Sequence, residues 1–236
     1  ASLGNLVESW FGVRDIVGSL IIESDGGPVM ASSRTYNSGG VDGTYGQFIG
    51  TLDPEHGVAV GDPPVHALYL ADTPGFRSNL GVVEVAGRET TAAVTLVDGD
   101  SGVPLGPPRF FKLQPFSHLQ LNRVVATFGG GGLGNVRAVV AAALGEGRIA
   151  AYTSVVDNGT GDASLAVAAR ATPVDQLVVP VVARVDGAAG TRWASDLRIA
   201  NLGAQTASVD LEFRWQDGGI EHMTTQRIAV AAVLQA

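Results

Sequence analysis

The residues in this chain that could do chemistry are few, and their spacing argues against most of it. Phe128-Gly129-Gly130-Gly131-Gly132-Leu133-Gly134 contains a GxGxxG spacing at Gly129, Gly131 and Gly134. A dinucleotide site built on that spacing needs a helix directly after it, whose N-terminus meets the pyrophosphate. A strand is expected from Val136 instead, so the run reads as an inter-strand loop. Asp157-Asn158-Gly159-Thr160-Gly161-Asp162 gathers carboxylates and carbonyls in a tight loop, with Asp157 and Asp162 as candidate ligands for a hard cation such as calcium. Asn and Asp beside Gly also suit turns with positive φ, and a structural turn is the preferred reading. Asn158-Gly159-Thr160 matches a glycosylation sequon as well. His56, His66, His118 and His222 show no metal-ligand spacing, and no GxSxG occurs. No catalytic residue, cofactor site or metal site is expected beyond that weak calcium candidate.

The elements that would position such residues show a repeat. Val17–Phe48 reads as apolar strand, Gly-containing turn, second strand and polar Gly/Asp loop, and Val136–Val167 reads the same way. At one offset Ala31 falls on Ala151, Ser33 on Thr153, Asn37 on Asp157, Gly39 on Gly159 and Asp42 on Asp162. The opening Leu3–Gly12 matches Gln120–Gly129, with Asn5 on Asn122, Val7 on Val124 and Phe11 on Phe128. Phe76–Glu84 matches Trp193–Asn201. Repeats of this kind decide the fold and are sought first.

Within each segment the apolar period is close to 2, as at Leu197, Ile199, Val209, Leu211 and Phe213, the pattern of half-buried strands. Strands are predicted near His66–Leu70, Ser78–Val85, Thr91–Val97, Arg109–Pro115 and His118–Val125. Leu20–Ser24 and the Ala-rich Val139–Leu144 are read as strands too. About fifteen strands, or seven per repeat, predict an all-β protein of two immunoglobulin-like sandwich repeats of about 120 residues. Residues 65–173 make one whole copy, with Thr172-Pro173 at its boundary. Residues 174–236 make the N-terminal half of another, and 1–64 its C-terminal half.

Neither half can bury its apolar face alone. The expected joint uses Leu3, Val7, Trp10, Phe11, Leu20 and Ile22 from one end of the chain. The other end supplies Trp193, Leu197, Ile199, Leu211, Phe213, Ile228, Val230 and Val233. The halves can close within one chain, between neighbouring chains as a head-to-tail polymer, or along a longer tandem array. The polymer is favoured. Phe11 with Phe128 and Phe76 with Trp193 read as core anchors, a sugar-stacking platform being the sharper alternative. Trp215 is placed on the face of Phe213.

Composition narrows the partners. Apolar residues make up 45% and charged residues 16% of the chain, enough for a core and unlike disorder. A net charge of −8 and a single lysine, Lys112, exclude a basic stripe for nucleic acid or anionic membranes. No run approaches the roughly 20 apolar residues of a membrane helix. The absence of cysteine removes disulfides and thiolate chemistry. A start at Ala1-Ser2 suits a processed secreted protein, and equally a trimmed chain.

Ser32–Asn37 with Gly39–Phe48, Pro74–Glu84, Ala150–Asp162 and Gly190–Gly203 resemble tandem β-sandwich repeats of bacterial secreted and cell-surface proteins. The resemblance implies an extracellular structural or adhesive module and brings no catalytic residues. The expected function is a non-enzymatic filament or surface-layer subunit whose partner is a second copy of itself. The alternative is a module of a larger secreted protein that binds carbohydrate or a host surface.

Overall fold

The computed structural model describes residues 2–37, 45–171 and 176–231. The N-terminal part carries helix α1 (Leu6–Phe11) and strands β1 (Ser32–Asn37) and β2 (Tyr45–Gly50). Then come β3 (Val65–Leu70), β4 (Phe76–Glu84), β5 (Thr90–Asp98), β6 (Arg109–Leu113) and β7 (His118–Leu121). Helix α2 (Val124–Thr127) leads to β8 (Val136–Gly145), β9 (Ile149–Asp157), β10 (Ala163–Val167) and β11 (Ala169–Arg170). The C-terminal part holds β12 (Arg184–Asp186), β13 (Arg192–Ala194), β14 (Ala207–Asp217) and β15 (Ile220–Val230). No described helix is long and apolar enough to cross a membrane.

Residues 58–170 form two sheets enclosing one core. The strand orders are β10-β9-β4-β7 and β11-β3-β8-β5-β6. Burial along β5, β8 and β9 alternates as their sequences do, because successive side chains leave a strand on opposite faces. Val58, Leu80, Val82, Val94, Val140 and Ile149 meet in the middle with no exposed surface. Such packing contributes on the order of 2 kcal/mol per large aliphatic side chain.

One polar group ties the bottom of this core. Glu84, at the end of β4, is 1% exposed. Its oxygens accept the backbone N–H groups of Ala86, Gly87, Arg88, Phe116 and Arg148. A buried carboxylate is tolerated when its lone pairs are filled in this way.

Three expectations need correction. The predicted strand His118–Val125 ends at Leu121, and Val124–Thr127 is helical. Arg123 enters the left-handed region there (φ 47°) and its N–H donates to the Asn79 side chain, which turns the chain out of the sheet. Leu20–Ser24 carries no strand pairing, for a reason given below. Phe76 lies exposed at the start of β4, so it is no core anchor, whereas Phe128 is buried as expected.

Candidate assembly surface

The parts of the chain flanking residues 58–170 contain hairpins and little else. β1 pairs with β2, β12 with β13, and β14 with β15. No described strand before residue 58 pairs with one after residue 176. The exposed surface of the chain is 15778 Å². A folded 24.2 kDa protein exposes about 10,000 Å², so half as much surface again is uncovered.

Two of these hairpins, β14–β15 and β1–β2, copy central ones strand for strand, while β12–β13 has no central counterpart. In the central unit Thr90 faces Leu113, Ala92 faces Phe111 and Val94 faces Arg109. In the C-terminal hairpin Ala207 faces Val230, Val209 faces Ile228 and Leu211 faces Gln226, every residue displaced by 117 positions. Likewise Thr153 faces Ala166 in β9–β10, and Ser33 faces Ile49 in β1–β2. Even a side-chain contact recurs: the Ser33 hydroxyl donates to the Ile49 carbonyl as the Thr153 hydroxyl donates to that of Ala166. Asn201, 117 residues beyond Glu84, accepts the N–H of Gly203 as Glu84 accepts that of Ala86. Asn5 caps α1 in the left-handed region (φ 46°), as Arg123 caps α2 (φ 47°). The structural counterpart of Asn5 is therefore Arg123, one residue beyond the expected Asn122. Gly39, Asp42, Val233 and the boundary Thr172-Pro173 lie outside the described residues.

Within the central unit, residues 65–113 and 118–170 contribute strands that interleave. Five of the seven pairings join one segment to the other: β3–β8, β3–β11, β4–β7, β4–β9 and β5–β8. Two pairings, β5–β6 and β9–β10, stay within a segment. Those two are the ones the flanks reproduce. The flanking counterpart of β8 lacks a partner, and that of β4 is paired only at Trp193-Ala194, which leaves residues 17–30 and 195–200 without strand structure. A strand cannot persist while its backbone groups have nothing to pair with.

Apolar positions follow the same division. Leu80 and Val82 are fully buried, whereas their counterparts Leu197 and Ile199 are 47% and 38% exposed. Val140 is buried, whereas Leu20, 120 residues earlier, is 50% exposed, and Ile22 matches it. Leu3, Val7, Trp10, Phe11, Trp193 and Phe213 are exposed, while Leu211, Ile228 and Val230 are half-buried. The expected joint residues are thus exposed or half-buried, and no described strand of one flank pairs with a strand of the other.

Chemistry-bearing residues do not converge. Among the described residues no three His, Asp or Glu side chains are grouped to hold a metal ion. One oxygen of Asp157 accepts the N–H groups of Gly159 and Thr160, and these bonds lower its pKa. Asp162 accepts from the N–H of Ala163. Gly129–Gly134 lies between α2 and strand β8 with no helix after it. The histidines lie apart. Arg137 Nη1 donates to His66 Nδ1 at 2.9 Å. Burial first, and the neighbouring guanidinium second, lower the His66 pKa to about 4. His118 bonds and stacks on Tyr152, and His222 stacks on Trp215. The crevice where residues 51–57 cross the sheets offers Asp53 and His56 alone as titratable groups.

No family model matches the sequence, and no curated protein matches it. Among solved structures, one titled "Crystal Structure of Thermotoga maritima 1070" is similar at 12% identity with a TM-score of 0.36. The match covers 48% of this chain and 97% of that one.

Proposed function

We propose that this protein is a non-enzymatic, extracellular structural subunit that assembles head to tail. In this reading residues 65–173 are a complete immunoglobulin-like sandwich, and 1–64 and 174–236 are complementary halves of a second. The open half of one copy is completed by the other half of the next. A contact between two different faces does not close on itself and propagates as a filament.

The observation that carries the reading is the selective loss of pairing. Of the central pairings, the flanks keep the two that need no strand from the other half and lack those that do, and they add the short hairpin β12–β13. Completion would bury well over about 1,000 Å² of largely apolar surface, enough for a specific interface. An extracellular place rests on the resemblance to secreted repeat proteins.

The test is the molar mass of the 236-residue chain across a dilution series, with electron microscopy of the concentrated sample. Mass rising with concentration, and filaments with an axial repeat of two sandwiches, are expected. A monodisperse 24.2 kDa species at every concentration would overturn the reading.

A second reading has one specific support. Phe213, Trp215 and His222 stack on the exposed C-terminal hairpin with ring centroids 5.1 Å apart at each step. Such a row is a platform for a sugar ring, as an adhesive or carbohydrate-binding module requires. Glycan binding by the monomeric chain would move this reading to first place.

A further inference from the structure

In the central unit, several contacts join residues 65–113 to residues 118–170, and each can be followed to its counterparts in the flanks. Gly81 on β4 faces Tyr152 on β9. A Cβ built on Gly81 would lie 2.1 Å from the tyrosine ring, so with the ring in this position a side chain at 81 would displace it. The counterpart of Gly81 is Arg198, and that of Tyr152 is Ser32. The small member has become large and the large member small.

The polar pair of half-buried His66 and buried Arg137 behaves the same way. Displaced by 116 rather than 117 positions, Pro64-Val65-His66-Ala67 matches Pro180-Val181-Val182-Ala183, and Arg137 matches Val17. Both polar partners have become valine. The third case is Glu84, which accepts the N–H of Arg148 at 3.1 Å. Glu84 becomes Asn201 and Arg148 becomes Pro28, so the carboxylate disappears where its donor has no N–H.

Each exchange has one member in the N-terminal flank and one in the C-terminal flank. If unrelated partners covered the two flanks, nothing would link the residue at 198 to the residue at 32. A change at one position that is compensated in size or hydrogen bonding at the other is what contact between them would leave. Resting on the assembly reading, we infer that the two open faces are matched to each other, in the register that sets Arg198 opposite Ser32, Leu197 opposite Ser33 and Leu211 opposite Leu20. The occupant of each open half is the complementary half of a second copy of this chain. The Arg198–Ser32 exchange makes the joint selective: a strand carrying Tyr at position 32, as β9 does at 152, collides with Arg198. The open halves thereby reject the strands of a complete sandwich and accept one another, a repulsive device of the kind specificity needs.

The full chain, which has no cysteine of its own, suits a crosslinking test. Arg198→Cys and Ser32→Cys are introduced together, oxidised at high and low protein concentration, and the linked peptides mapped. A ladder of chain multiples joined between positions 32 and 198 supports both the register and its placement between copies. The same link inside single chains keeps the register but overturns the second copy as occupant. Assembly by mass with both cysteines free, or with the off-register pair Arg198→Cys and Tyr36→Cys linking instead, overturns the inference and leaves the filament reading standing. Selectivity is tested separately. Ser32→Tyr is expected to weaken assembly by at least roughly tenfold, and adding Arg198→Gly to restore it. Equal assembly by the single and double variants would overturn the selectivity.

Discussion

Gly81 and Tyr152 occupy facing positions on β4 and β9, and the phenol ring lies where a side chain at 81 would begin. That contact is a packing constraint inside the central unit, independent of any assembly. Gly81→Ala is expected to lower the unfolding free energy by about 2 kcal/mol through overpacking. In the Tyr152→Ser background the same substitution should cost nothing further. Chemical denaturation of the four proteins checks both statements.

Leu80 and Leu197 are counterparts with opposite burial. Leu80→Ala opens a cavity in a closed core and is expected to cost about 3 kcal/mol. Leu197→Ala should leave the central unit's unfolding unchanged while weakening assembly, read as molar mass against concentration. A loss of central stability from Leu197→Ala would mean that the flank already packs on that core.

His66 makes stability depend on pH. Its ring titrates near 6.5 when unfolded and at about 4 when folded, where it accepts a hydrogen bond from Arg137. A depressed folded-state pKa means the contribution is complete above pH 6.5 and is lost as pH falls through about 4. The melting temperature should therefore decline between those values. His66→Val, the residue its counterpart position already carries, should flatten that decline in a thermal scan.

Glu84 is expected to be the most sensitive polar position. Glu84→Ala leaves five backbone N–H groups without their acceptor, at a cost of about 3 kcal/mol or more. Glu84→Gln retains one acceptor oxygen and should cost less. Thermal melts of both variants provide the comparison.

Strand periodicity made the central unit readable, because alternation at Thr90–Asp98 and Ile149–Asp157 is local information. The four-residue helix at Val124–Thr127 was not readable: two valines and a threonine favour strand, and the turn is imposed by left-handed Arg123 and its bond to distant Asn79. Leu20–Ser24 has a strand sequence, yet its strand state depends on neighbours about 190 residues along the chain or on another copy. The matches that relate the flanking hairpins to the central ones were legible in the sequence. The contact between Gly81 and Tyr152 was not, since a glycine between Leu80 and Val82 looks like a weak point in a strand. The signal that could have found it is the bulky arginine at the matching position, with serine where the tyrosine would be.

The interleaved strand order has a mechanical consequence. In both sheets, strands of the first segment lie beside strands of the second, so a joint built on that plan cannot peel open from one edge. Tension along such a filament would load several antiparallel ladders lengthwise at once, and rupture would require their bonds to give way together. In the proposed assembly the link between subunits would then resist pulling as a folded domain does, yielding by loss of its strand pairing while the covalent connecting segments hold.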